Sequence, residues 1–374
     1  MAMVKTDYGL VYNDDGSLCV TKRTDDVPFP GTTAWAVEEG TTNYFTANGG
    51  VNLTSISAYN ATVAPTYSQL TNEEWFGTIP LHVNMGEGGA RYFSQGNMPT
   101  DTTNGTTYTF SIYVRPKVTR ILRLHTDEGF GPHVECEAGI WTRLTLTFTT
   151  TATYRWLDIT GWQPYDVIDF AAPLLEKKPF ATSFVDGTRP DGRFRTFDDA
   201  FCRSIITKGI VISGWYKRNK TLESSEGFRL FSCTQSGGFN VEKLSDGRFH
   251  ISINDNGVYK HGSITDPNIF DDLDWHYVVF FYDPDTKTAK LYIDATEQAS
   301  VVLTKGLYFN PAITYELAIG HEYPTGAELN GLISDPFIGR PYDKNGNFVW
   351  TNSYIKQVYE ARAPFNVPPK IPVT

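Results

Sequence analysis

The chain has no run approaching the roughly 20 apolar residues that cross a bilayer, and its first residues, MAMVKTDYGLVYNDDG, hold no apolar core of about 7 to 15 residues. The expectation is a protein made in the cytosol without a secretory leader and with no membrane insertion. Positive charge is also short: 32 Lys plus Arg stand against 42 Asp plus Glu, a formal charge of −10. Such a balance repels polyanions, which argues against nucleic acid and anionic lipid surfaces as partners. The four cysteines, Cys19, Cys136, Cys202 and Cys233, show no CxxC or Cys/His spacing, so zinc has no support and reduced thiols are expected. GxSxG, HExxH and GxxxxGK[ST] are absent and the seven histidines are dispersed. Helical periodicity is scarce as well.

What the chain does have is aromatic residues, 14% of the total, in short alternating runs separated by Asn, Gly, Asp and Pro. In the first half these are YTFSIYVR (108–115), RILRLH (120–125), WTRLTLTF (141–148) and YRWLDIT (154–160). In the second they are GIVISGWYKR (209–218), FRLFSC (228–233), FNVEKL (239–244), GRFHISIN (247–254), WHYVVFFYD (275–283) and AKLYID (289–294). Period-two alternation with turn residues between the runs predicts an all-β chain of two tandem antiparallel β-sandwiches. Asp246-Gly247 and Asn256-Gly257 read as tight hairpins that need positive φ, and Asp283-Pro284-Asp285-Thr286 as a further turn. After about residue 332 the character changes to a hairpin-like DKNGN, then TNSYIKQVYEAR, then a proline-rich tail. Tyr354, Ile355, Val358 and Tyr359 follow helical spacing, with Thr351 or Asn352 as cap, and predict a short helix packed back on a sandwich.

Alternate positions place Tyr108, Phe110, Ile112 and Val114 in one core with Leu122, Leu124, Leu144, Leu146, Phe148, Leu157 and Ile159. The opposite faces carry Tyr113, Arg115, Arg123, His125, Trp141, Arg143, Tyr154, Trp156 and Asp158, and a following loop carries Trp162 and Tyr165. Rings interleaved with Arg suit glycan recognition, because a sugar C–H face stacks on a ring while Arg donates in a fork. They equally suit a face covered by other protein, from this chain or a neighbouring subunit. Acidic pairs such as Glu73-Glu74, Asp127-Glu128 and Asp271-Asp272 lie in polar, turn-like stretches and read as solvated loop acids rather than a glycosidase pair. His276 reads as a packed strand residue, not a base.

Four stretches of the first half, AWAVEEGTTNYF (34–45), YTFSIYVRP (108–116), WTRLTLTF (141–148) and IDFAAPLLEKKPFATSFVDGTR (168–189), resemble the carbohydrate-binding-module-like jelly roll of bacteriophage and prophage tail or virion structural proteins. The second half, with GIVISGWYKR and WHYVVFFYDPDTKTAKLYIDATE, resembles a concanavalin A-like or laminin G-like jelly roll. One departure is Ala295 after Asp294, where such strands often close with a tight Gly turn, so a differently shaped hairpin is expected there.

The resemblance implies an N-terminal attachment segment over 1–33, a carbohydrate-binding-module-like jelly roll over 34–185, a concanavalin A-like jelly roll over 186–335, and a C-terminal hairpin, helix and proline-rich tail over 336–374. It implies a structural calcium held by Glu38, Glu39, Thr41 and Asp169, and no other cofactor. It implies a non-enzymatic tail-fibre, tail-tip or receptor-binding component of the virion. The partners would be bacterial surface polysaccharide, other virion proteins and its own copies in a homo-oligomer such as a trimer. A polysaccharide-degrading tail enzyme and a purely structural decoration protein are the alternatives, and an exported surface adhesin a third.

Overall fold

The computed structural model describes residues 4–5, 10–12, 18–45, 50–95, 105–150, 156–189, 192, 194–197, 199–221, 226–234, 236–321 and 327–361. It is built almost entirely of antiparallel strands, in two units. One comprises Leu10–Glu39 and Asp191–Thr374 with Met1–Lys5, the other Gly40–Pro190 with Thr6–Gly9.

The Gly40–Pro190 unit is a sandwich. Sheet I runs Thr142–Thr149, Thr107–Pro116, Val167–Glu176, Leu81–Asn84, Thr66–Gln69. Sheet II runs Gly129–Phe130, Arg120–Thr126, Trp156–Thr160, Ala90–Gln95, Ser57–Tyr59, with Val134–Cys136 also on Arg120–Thr126. The alternation read from the sequence decides which side chains meet. Tyr108, Phe110, Ile112, Val114, Leu144, Leu146 and Phe148 of sheet I share one buried cluster with Leu122, Leu124, Leu157 and Ile159 of sheet II. Each of these large side chains contributes about 1.5 to 3 kcal/mol on leaving water. Because the two strand sets belong to different sheets, their outer sides point away from each other. The predicted aromatic set is therefore divided between two opposite surfaces.

The first and last strands of this unit pair with each other, Thr41–Thr42 against Thr188–Arg189. The EGTTN and VDGTR stretches that carried the resemblance thus form the two-stranded stem through which the chain enters and leaves the jelly roll. Phe180 and Phe184 are both buried after its last long strand, and the division between units falls between Pro190 and Asp191.

The other unit holds sheet III, which reads from Val4–Lys5 through Leu10–Tyr12, Leu18–Arg23, Ala34–Val37, Gly331–Gly339, Ile210–Arg218, His276–Asp283 and Thr288–Ile293 to Thr296–Val302. Sheet IV reads Phe194–Phe197, Leu317–Ile319, Phe228–Thr234, Gly238–Lys243, Phe249–Asp255, Val258–Ser263. Phe231, Val241, Ile251 and Ile253 meet Ile212, Phe280, Leu291 and Ile293 in the core between them.

The expected domain limits need correction. Ala34–Val37, assigned from the sequence to the first jelly roll, pairs with Gly331–Ser334 in sheet III. The strand Leu18–Arg23, expected in an attachment segment, continues the same sheet, and the expected fourth segment belongs to this unit too. The jelly roll is consequently an insertion between two parts of the second sandwich rather than its predecessor.

The helix Asn352–Ala361 packs on the outer side of sheet III, where Tyr359 stacks on Trp215 at 5.9 Å and Ile355 is fully buried. Thr351 caps it, its hydroxyl accepting from the Tyr354 N–H at 3.3 Å. A second helix, Asp199–Lys208, was not foreseen; its signals were Asp199 and Arg203 at (i, i+4), 2.6 Å apart, and the buried pair Cys202 and Ile205. The turns differ in kind. Asn256-Gly257 is a two-residue hairpin with φ of 54° and 95°, whereas Asp246-Gly247 lies inside a longer connection between Lys243 and Phe249. Asp294-Ala295 keeps the tight two-residue form, with both residues at positive φ, 50° and 60°. The different shape expected for it does not occur, and Ala295 occupies a conformation that favours glycine.

Candidate functional site

The outer side of sheet II brings together the predicted residues Arg123 and Trp156. Register sets one row across the sheet: Phe130 opposite His125, His125 opposite Asp158, Asp158 opposite Tyr92. Phe130, 53% exposed, lies flat on the His125 ring at 4.0 Å and 14°. The Arg123 guanidinium stands 3.8 Å from the Phe130 ring centroid and its Nε is 3.4 Å from Thr160 Oγ1. Trp156 is half-buried and meets His125 and Tyr92 edge-on, each at 6.3 Å. Beneath them Asp158 is buried, its two oxygens 3.0 and 3.1 Å from His125 Nδ1. Burial pushes the Asp158 carboxyl up, against the opposing pull of His125. The pair fixes the imidazole, which in turn supports Phe130. The surface so built offers the exposed edge of Phe130, whose faces are held between His125 and Arg123, a half-buried Trp156 and a guanidinium, which suits edge contact and hydrogen bonding to a hydroxyl-rich ligand.

Phe130 and Tyr92 were missed by sequence reading. The signal for Phe130 was the short connection TDEG after RILRLH, which folds the next residue back beside His125; Tyr92 required the cross-strand register.

The remaining candidates are placed elsewhere. Tyr113, Arg115, Trp141 and Arg143 lie on the outer side of sheet I, which the chain covers with its own loops. Trp75 stacks on Trp141 at 5.3 Å, Phe76 lies 5.2 Å from Tyr113, and Tyr113 is 1% exposed. Arg143 donates to Ser111 Oγ at 2.8 Å and to the Thr182 carbonyl. Tyr113 and Trp141 thus belong to a second small core with Arg115 and Arg143 beside it, and the structure does not bring these four together with Arg123 and Trp156. Trp162 donates its indole N–H to the Ile159 carbonyl at 3.1 Å and lies under Arg91 at 4.7 Å. Tyr165, 54% exposed, donates to Glu87 at 2.9 Å. Tyr154 lies outside the described residues.

The expected calcium ligands are not assembled. Asp169 is fully buried among three basic groups, Arg115 Nε at 2.8 Å, His82 Nδ1 at 2.6 Å and Lys117 Nζ at 3.2 Å. A carboxylate so matched has no charge left for a divalent ion. Thr41 donates its hydroxyl to Glu176 at 2.8 Å, Glu38 accepts from Asn219 at 2.9 Å, and Glu39 lies 3.8 Å from Lys220. Among the described residues no group of three or more His, Cys, Asp or Glu could hold a metal.

Comparison with known proteins reaches less than half of the chain. Residues 198–338 match the Laminin G 3 family model, described as the concanavalin A-like lectin/glucanases superfamily. Among solved structures, the botulinum neurotoxin serotype D binding domain is 17% identical over 42% of this chain, with a TM-score of 0.31. The binding domain of botulinum neurotoxin DC in complex with SialylT is 12% identical over 43%, TM-score 0.32. The binding domain of Paraclostridial Mosquitocidal Protein 1 is 13% identical over 45%, TM-score 0.30. The chain spans only 38%, 37% and 38% of the lengths of these three. No curated protein matches.

Proposed function

We propose that this chain is a non-enzymatic, glycan-recognising component of a bacteriophage tail or virion, binding bacterial surface polysaccharide through the outer side of sheet II. The observation that carries the binding reading is the Arg123, His125, Phe130 and Trp156 cluster, whose rings are held in place by Asp158 yet remain partly open. The virion setting rests on the sequence resemblance of the EGTTN and VDGTR stretches, which pair as the stem of the inserted unit, and the binding role is in keeping with the concanavalin A-like lectin/glucanase match of residues 198–338. A single shallow sheet face binds weakly, so function calls for several copies on one particle, as in a homo-oligomer attached to other virion proteins. The alternative of a degrading enzyme draws no support from Asp158, which is committed to His125, while Glu135, opposite the exposed Ile121 on the same face, is solvated.

The test is retention of the purified protein on host cells or cell-wall polysaccharide, scored with release of reducing sugar. Wild type is expected to be retained without release, and Trp156→Ala and Arg123→Ala each to weaken retention about tenfold. Normal retention of both variants would remove the site; sugar release by wild type would favour the enzyme.

A further inference from the structure

We infer that the glycan taken by the outer side of sheet II is an acidic one, whose sugar units carry a carboxylate or phosphate that docks on Arg123. This rests on the reading of that face as the glycan site and adds the class of sugar. Arg123 differs from its neighbours in what it touches. Arg115 is held by Asp169 at 2.8 Å and by Glu73 at 2.7 Å. Arg120 is gripped by both oxygens of Asp166, each at 2.7 Å. Arg123 has only the long contact from Nε to Thr160 Oγ1, 3.4 Å. Among the described residues its Nη1 and Nη2 meet no acceptor and no carboxylate pairs with it.

The guanidinium is nevertheless fixed. It stands over Phe130, whose other face rests on His125, itself anchored on Asp158. A half-buried, pre-oriented guanidinium with its two terminal N–H groups open is suited to an oxyanion held in a fork, and little side-chain freedom remains to be lost on binding. A sugar hydroxyl fills one of these donors and leaves the charge without a counter-charge. A carboxylate or phosphate fills two and neutralises it.

The acids nearby do not take that place. Asp158 is committed to His125. Glu135 is exposed and stands opposite Ile121, two residues from Arg123 along the strand, about 7 Å away, where water screens it. The chain carries a formal charge of −10, so an anion is drawn here by this fork and not by a general field. Ile121, exposed on the same face, and the half-buried Trp156 supply apolar surface for the sugar ring that bears the anion.

The test is NMR titration of the full chain, read at the Arg123 Nε–H and the Trp156 indole N–H. Sugars are offered in pairs, glucuronate against glucose, galacturonate against galactose and glucose 6-phosphate against glucose, each up to about 50 mM, a range that reaches weak sites. At least one acidic member is expected to bind about tenfold more tightly than its neutral parent, and the difference to shrink as sodium chloride rises from about 20 to about 300 mM. The carboxylate and phosphate pairs tell which oxyanion is taken. Arg123→Gln is expected to bring the members of that pair to equal affinity, and Arg123→Lys, which keeps the charge but loses the fork, to retain part of the preference. Unchanged Trp156 and His125 signals in the free variants show that the face is intact. Neutral parents bound as tightly as acidic sugars by wild type would overturn the inference and leave the glycan reading standing. A preference that survives Arg123→Gln would overturn it too, as would a hexaglutamate peptide that shifts both signals more than any acidic sugar, which assigns the face to a protein partner. Silence of both signals toward every sugar also overturns it, and the retention assay then decides separately on the glycan reading.

Discussion

Gly161 follows the strand Trp156–Thr160 with φ of 95°, and a Cβ built on it would lie 2.1 Å from the Ile121 carbonyl oxygen, in the strand that carries Arg123 and His125. Gly161→Ala therefore incurs two separable costs. The left-handed backbone costs an L-residue about 1 to 2 kcal/mol, of which about 0.4 to 1 is recovered because alanine restricts the unfolded chain. The overlap is with backbone rather than a flexible side chain, so the two strands must part by about 1 Å, at about 1 to 3 kcal/mol. Gly139 supplies the control: it has φ of 76° and nothing within 4 Å of its Cβ position. Gly139→Ala should show the backbone cost alone, about 0.5 to 1 kcal/mol, and Gly161→Ala about 2 kcal/mol more. For a unit of this size that gap is about 4 to 8 °C in melting temperature. Urea unfolding followed through the Trp156 indole signal measures it within the inserted jelly roll. Equal losses in the two variants would refute the claim that close approach of these two strands, and hence the spacing of Arg123 from Thr160, requires glycine.

His276 donates from Nδ1 to Asp294 at 2.6 Å and from Nε2 to Asp272 at 3.1 Å, with the Phe270 ring edge-on at 5.1 Å. Burial pulls its pKa down, but the two carboxylates outweigh burial and the net shift is upward. Its stabilisation is complete below the unfolded value of about 6.5 and is lost as pH rises through the raised folded value; urea midpoints of wild type should fall toward those of His276→Gln over that window, and a gap that stays constant or widens would contradict this. Asp169→Asn leaves Arg115, His82 and Lys117 facing one another across a buried position and should cost about 2 to 3 kcal/mol, whereas a calcium chelator should leave the wild-type melting temperature unchanged; a chelator-induced fall in calorimetry would reinstate a metal. Tyr359→Ala removes the ring stacked on Trp215 and, being only half-buried, should cost about 2 kcal/mol by denaturant unfolding.

Strand alternation made the core of the inserted jelly roll legible, because period two assigns every side chain to one of two faces without knowledge of the partner strand. The same rule could not say which strands share a sheet. Arg115 and Arg123 alternate alike, yet one lies beneath a loop bearing Trp75 and Phe76 while the other stands beside an exposed Phe130. That distinction depends on long-range register. Asp169 illustrates a further limit: an acidic residue near a strand end looks like an oxygen ligand until its cross-strand neighbours, His82 and Arg115, are known. The C-terminal helix was readable from Tyr354, Ile355, Val358 and Tyr359, since four apolar positions on one stripe outweigh its short length.

The insertion carries a consequence for how the chain folds. Ala34–Val37 must pair with Gly331–Ser334 to complete sheet III, and between Glu39 and Asp191 stands the whole jelly roll of about 150 residues. Closing an unstructured loop of that length costs about 3 kcal/mol more than closing one of about four residues. Once the jelly roll has folded, the pairing of Thr41–Thr42 with Thr188–Arg189 holds its two ends together, and the long loop acts as a short one. The hydrogen bond from the Gly192 N–H to the Glu38 carbonyl, 2.7 Å, is then nearly local. Folding of the inserted unit should therefore precede and accelerate completion of sheet III. Refolding followed through Trp215 is expected to slow when the inserted unit is destabilised by Gly161→Ala, although that residue lies in the other unit. An unchanged Trp215 rate would mean that sheet III closes across an unfolded insert, and that the stem contributes nothing to its assembly.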